Sequence, residues 1–194
     1  GLGDVYKRQG EYKENDVYTP ALCHRLDTGT SGLVIIAKTP EAEELFLAAI
    51  KSREVKKTYL CVTFGRPTPP DATLGGYLLK DADRGIVKIV EDKQPGAKDV
   101  ETRYETIAVS GRLALLKVQL ITGRTHQIRV HMAYLGHPIL GDTVYGAKKP
   151  VPGLTGQCLH AVGLQFIHPR TKELVSLSCP LPGEFTAALR KIDR

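Results

Sequence analysis

The 194-residue chain reads as a single α+β domain built on an antiparallel or mixed sheet. Three observations predict this. Strand-like runs outnumber helix-like ones, most of them follow one another as hairpins, and the regular strand–helix alternation of a doubly wound fold is missing. The length suits one well-filled core and is short for two. At 42% hydrophobic and 25% charged residues the composition is that of an ordinary globular protein.

The elements follow in order. The first ten residues, GLGDVYKRQG, carry no periodic pattern and read as an expression scar or a spurious end, so the domain is taken as residues 11–194. LVIIA, Leu33 to Ala37, is apolar, rich in β-branched residues and bounded by Gly32 and Thr39-Pro40, which predicts a buried strand. Thr39 then caps a helix whose first position is Pro40. Three glutamates favour its positive end, and Lys51 and Arg53 favour the other, with an end near Ser52. Lys56 to Phe64 is the next strand, stopped by the proline-rich GRPTPPD.

ETRYETIAVS and RLALLKVQLI alternate on either side of Ser110-Gly111 and predict a hairpin. Thr125 to Leu135 is predicted as a helix, with Thr125 as cap and Gly136 and Pro138 beyond its end. LQFIHPRTKELVSLSC reads as a second hairpin, and a final helix is placed at Glu184 to Ile192. The stretches Gly65 to Gly76 and Pro150 to Gly156 are read as surface loops.

The bulk chemistry excludes several classes. No window reaches the roughly 18 to 20 apolar residues of a spanning helix, so no membrane role is expected. Cys23, Cys61, Cys158 and Cys179 form no CxxC pair or zinc spacing, and there is no secretory signal, so reduced thiols in a cytoplasmic protein are expected. HExxH, GxGxxG and Walker glycine patterns are all absent, so neither a catalytic metal nor a usual nucleotide cofactor is expected, and no GxSxG nucleophile elbow appears. The formal charge of +6 makes a polyanionic partner plausible.

Two stretches carry candidate chemistry. In TGRTHQIRVHMAYLGHP, His126 and Arg129 share a helix face, while Ile128, Met132 and Leu135 form an apolar stripe. With Arg124 before the helix and His131 further round it, this face suits phosphate or carboxylate recognition. The plainer reading is a solvated basic face. In LCHRLDTGTSG, Asp27 is either a turn residue bonding its own backbone or a working carboxylate.

HRLDTGTSGLVIIAKT, KKTYLCVTFG and ITGRTHQIRVHMAYLGHPILGDTVYG, with CLHAVGLQFIHP downstream, together resemble the RluA family of RNA pseudouridine synthases over Pro20 to Pro182. The resemblance implies a curved mixed sheet with flanking helices and a central cleft. It implies isomerisation of uridine in rRNA or tRNA with Asp27 as the catalytic aspartate, Tyr59 against the target base and Arg129 paired with the aspartate. Arg25 matches the arginine that fills the space left by a flipped nucleotide, a gap that chemistry on a stacked base necessarily creates. Lys56, Lys57, Arg124, His126, Gln127 and His131 complete the expected RNA-binding set, with Lys51, Arg53, Lys148 and Lys149 as further backbone-positioning cations.

The physical roles fit the residue types. A carboxylate beside a guanidinium is favoured in its charged form. A tyrosine ring offers a stacking surface plus a hydroxyl, and a planar, always-charged arginine can stack and touch phosphates. RNA is the expected partner, and no obligate protein partner is evident. The Lys-Pro-x-Gly-like segment that precedes the aspartate in the family is missing here, so an N-terminal part of the domain is expected to be absent. A non-catalytic RNA-binding module of the same fold is the alternative.

Overall fold

The computed structural model describes residues 18–81, 85–146 and 150–190. The expectations for residues 1–10, for Lys148 and Lys149, and for the last turn of the final helix lie outside these residues.

Among the described residues a long antiparallel sheet carries the fold. Its strands are β4 (Lys56–Phe64), β5 (Asp71–Asp81), β6 (Ile86–Val90), β7 (Lys98–Ser110), β8 (Leu113–Leu120), β9 (Leu159–Ile167) and β10 (Leu174–Ser178). They lie in the order β10-β9-β4-β8-β7-β5-β6. Two-residue pieces complete the strands: β1 (Ala21–Leu22), β2 (Ser31–Gly32) and β3 (Ile36–Ala37). β2 pairs with β9 in parallel, which makes the large sheet mixed, as expected from the sequence. β1 and β3 form a separate antiparallel pair. The helices are α1 (Pro40–Lys51), α2 (Gln127–Tyr134) and α3 (Gly183–Leu189).

The hairpin of β7 and β8 forms as its alternation predicts. Ser110 pairs with Leu113 across a two-residue loop whose first residue, Gly111, has φ 55, a conformation that tight hairpin turns reserve for glycine. Ala114, Leu116 and Val118 on β8 and Val100, Thr102 and Tyr104 on β7 turn inward at every second position. α1 forms as its caps predict: the Ala42 N–H donates to Thr39 Oγ1 at 3.2 Å, and the helix stops at Ser52. It packs through Phe46, whose ring meets Phe166 edge-on at 5.2 Å, over a small core that includes Cys23, Val55 and Leu164.

Three expectations are corrected. LVIIA is not one buried strand. Its residues run between two pairings, Gly32 on β9 and Ile36–Ala37 on β1, and Val34 is 37% exposed. The switch needs Gly32 at φ 121, where a Cβ would collide with the Ala161 backbone. Gly65 to Gly76 is not a loop throughout, because β5 begins at Asp71. Gly75 and Gly76 in mid-strand masked the pattern, and their pairing with Glu101 and Val100 of β7, continued from Tyr77 onward by pairing with β6, overrides their low strand propensity. The helix expected from Thr125 begins at Gln127. His126 precedes it with φ 55 and makes no side-chain cap bond, so Thr125 is not the cap.

Candidate active site

Asp27 is a turn residue and a cleft residue at once. The Thr30 N–H donates to the Asp27 carbonyl at 2.9 Å, with Gly29 at φ 81 in the third position, where a type II turn requires φ above zero. Gln157 holds the turn from behind, its Nε2 donating to Thr28 O at 2.9 Å and Thr30 Oγ1 at 2.7 Å. The Asp27 side chain then faces a cavity of about 620 Å³. The cavity lies between the Cys23–Asp27 segment, the end of α1, the start of β4 and the loop at Ile121–Thr125.

Three further groups close around this carboxylate. Arg129 of α2 is 5% exposed, and its Nη1 lies 3.9 Å from Asp27 Oδ2. Its stronger partner is Asp142: Arg129 Nε donates to Oδ2 at 2.8 Å and Nη2 to Oδ1 at 3.0 Å. Asp142 Oδ1 also accepts from the Val144 and Tyr145 N–H groups at 2.9 and 3.0 Å. Burial alone would raise the Asp142 carboxyl, but the hydrogen bonds and charge of Arg129 and the backbone donors outweigh it and hold it below its usual range. Burial likewise opposes the Arg129 charge, yet Asp142 and then Asp27 raise it above its ordinary value. The guanidinium carbon sits 5.3 Å from the Tyr145 ring centre, within cation–π range.

Tyr59, on the central strand β4, lines the same cavity and is 6% exposed. Burial, with the charge of Asp27 added, pushes its hydroxyl up to about 12, so it stays protonated at neutral pH and offers a hydrogen to a bound group. β4 slips register against β9 between Thr58 and Tyr59, the kind of bulge that re-aims a side chain near a site. His126 places Nδ1 2.9 Å from Tyr145 Oη, which also accepts from the Val87 N–H at 3.0 Å. Burial lowers the His126 pKa, Asp27 acting against it and Arg129 with it, so the ring is neutral at pH 7.

The expected RNA-binding set divides. Arg25, Lys57 and Arg124 line the cavity together with Lys51 and Arg53. Lys56 is exposed on the opposite face of β4 and does not line it. Gln127 and His131 are only 2% and 1% exposed; Gln127 still lines the cavity, but both side chains are bonded into the framework around it. Gln127 Oε1 accepts from Thr122 Oγ1 at 2.8 Å and the Arg124 N–H at 3.0 Å, and its Nε2 donates to Glu101 O and Thr102 Oγ1 at 2.9 and 2.8 Å. These bonds fix the loop that walls the cleft. His131 Nδ1 lies 2.7 Å from Thr102 Oγ1, and burial lowers its pKa to about 4. α2 therefore presents no solvated basic face, because Ile128, Val130 and Met132 are buried along with its polar residues.

Asp142 and Tyr145 were missed as site residues. A signal existed: an arginine buried on a helix needs a carboxylate, and GDTVYG supplies one. The four cysteines are free thiols, three of them buried. No helix among the described residues is long and apolar enough to cross a membrane.

A mixed sheet with a carboxylate, a buried arginine and a protonated tyrosine around one cleft defines a class, and comparison with known proteins names it. The RNA pseudouridylate synthase family model matches residues 4–134. An uncharacterized RNA pseudouridine synthase of Chloroflexus aurantiacus is 38% identical over 174 residues, covering 89% of this chain and 54% of that protein. The ribosomal large subunit pseudouridine synthase D of Vibrio cholerae is 38% identical over 192 residues, covering 91% and 58%. The structure of human RNA pseudouridylate synthase domain containing 4 superposes with a TM-score of 0.76 at 26% identity, covering 90% of this chain and 76% of that one. The chain belongs to the RNA pseudouridylate synthase family, and the RluA-type resemblance of its motifs holds. It spans little more than half the length of these curated relatives.

Proposed function

We propose that this domain isomerises uridine to pseudouridine in RNA, with Asp27 as the acting carboxylate. The observation that carries the reading is the position of Asp27: on a locked turn, at a cleft large enough for a nucleotide, beside Arg129 and within electrostatic reach of Tyr59. In the reaction the ribose C1′–N1 bond breaks and a C1′–C5 bond forms. N1 gains a proton and C5 releases one, so atoms and charge balance.

Asp27 acts on the nucleotide while the glycosidic bond is open. Arg129 steadies its charge without leaving Asp142, and Tyr59 lies against the uracil with its hydroxyl as donor. Arg25, exposed at the cleft edge, occupies the gap in the stack when the nucleotide turns out. The name of the Vibrio cholerae relative directs the search to large-subunit rRNA first, and the motif resemblance adds tRNA as the second candidate and a cytoplasmic setting.

The test is chemical mapping of pseudouridine in rRNA and tRNA after incubation with wild type and Asp27→Asn. Wild type modifies discrete uridines and the variant loses at least about 10³-fold in rate, the scale of losing a central catalytic group. Equal modification by the two proteins overturns the role of Asp27.

A further inference from the structure

Two residues before Tyr59 on β4, the cleft holds a cation of a different kind. Lys57 is half-buried and lines the cavity, and among the described residues the ion pairs are those of Arg129 and Arg170, with no carboxylate paired to Lys57. Its head lies against the Gly123 backbone, since a Cβ at Gly123 would meet Lys57 Nζ at 3.3 Å. His24, also lining the cavity, is no substitute partner. Its Nε2 accepts the Ile35 N–H at 3.2 Å, and burial and then the Lys57 charge lower its pKa to about 4, leaving it neutral.

The lining as a whole is unbalanced in the same direction. Arg25, Lys51, Arg53, Lys57 and Arg124 face the cavity against the single carboxylate of Asp27, and that carboxylate is already next to Arg129. A half-buried ammonium without a counter-charge is costly. Burial accordingly lowers the Lys57 pKa. An ammonium has three donors and no acceptor, so what completes this position is an anion with several acceptor oxygens.

We propose that Lys57, seated against Gly123, is a phosphate subsite of the cleft, which takes a phosphodiester of the RNA flanking the nucleotide held at Asp27 and Tyr59. The inference rests on the reading of the cleft as an RNA site. It assigns Lys57 a task separate from that of the exposed Lys56, and a side chain at Gly123 would have to displace the ammonium by a few tenths of an ångström. A side chain at Gly123 would press on the ammonium from the wall that Gln127 holds in place.

The experiment measures binding of fluorescein-labelled oligouridylate by anisotropy across a salt series, together with thermal melting, for wild type, Lys57→Met and Lys57→Arg. For Lys57→Met the slope of log K against log salt falls by about 0.7, the release expected for one single-strand phosphate contact. Affinity at low salt falls roughly tenfold, the order of one charge-assisted contact. The melting midpoint rises, because an uncompensated charge has left the interior, and Lys57→Arg recovers most of the slope.

An unchanged slope in Lys57→Met overturns the subsite. So does a loss of binding accompanied by a lower melting midpoint, which would make Lys57 structural, or a wild type that does not bind the oligonucleotide. Pseudouridine is scored separately on rRNA. A protein that shows the Lys57-dependent slope yet modifies nothing retains the subsite and defeats the isomerase reading.

Discussion

Arg129 and Lys57 are both cations held partly out of water around one cleft, and they are treated in opposite ways. Arg129 is clamped by Asp142 through two hydrogen bonds, and the oxygens of that aspartate are engaged in turn by backbone N–H groups. Its charge is compensated before any ligand arrives, so it is preorganised, with Nη1 left over for Asp27. Lys57 has a glycine and a neutral histidine for neighbours. One end of the cleft is complete in itself, whereas the other has its electrostatic complement still to come.

The contrast breaks most visibly at Asp142. Asp142→Ala strands a buried guanidinium, and urea unfolding at pH 7 should show a loss of about 3–5 kcal/mol, the typical cost of removing one partner of a buried pair. That is the opposite sign from Lys57→Met. A variant that unfolds at the wild-type midpoint would mean that Asp27 or solvent can take over the pairing.

Acid tests the other end. His24 has a folded pKa of about 4 against 6.5 for the free side chain, so between those values the unfolded chain binds the proton that the folded chain refuses. Stability from this group is intact above about pH 6.5 and is lost as pH falls towards 4, by on the order of 3 kcal/mol in total. Urea midpoints at pH 7 and pH 4.5 for wild type and His24→Gln check it. The variant loses less on acidification, and His131, also lowered to about 4, keeps part of the effect. Identical pH dependence in the two proteins would show that His24 is not held neutral.

The smallest change expected is at Lys56, exposed on the far face of β4. Lys56→Met should alter stability by no more than about 0.5 kcal/mol, and it should leave untouched the low-salt affinity that Lys57→Met reduces. A loss equal to that of Lys57→Met would erase the distinction between the two faces of the strand.

How far this was legible in the sequence varies by residue, for physical reasons. β4, β7 and β8 announce themselves because half-buried antiparallel strands alternate. β5 does not, since Gly75 and Gly76 erase the local signal and only pairing with its neighbours makes it a strand. LVIIA was misread because an apolar run reports burial and says nothing of which sheet the backbone joins. Asp27, Tyr59 and Arg129 were found through three motif strings, and the structure brings them to one cleft. The burial of Gln127 and His131 was hidden because a helical pattern names the apolar stripe but not what covers the remaining sides. Asp142 escaped because its bond to Arg129 spans 13 residues of mostly irregular chain, where no periodicity links donor to acceptor.

β4 is flanked by β8 and β9, and it delivers both Lys57 and Tyr59 to the cleft from alternate positions of one extended segment. Point substitutions along it alter one contact at a time. Gain or loss of a single residue near Lys56 would instead rotate the segment by half a period, sending Lys57 to the solvent and Lys56 inward while the sheet could still form. The strand is therefore far less tolerant of changes in length than of changes in chemistry, and among natural variants of this chain the short insertions and deletions should stop at its two ends.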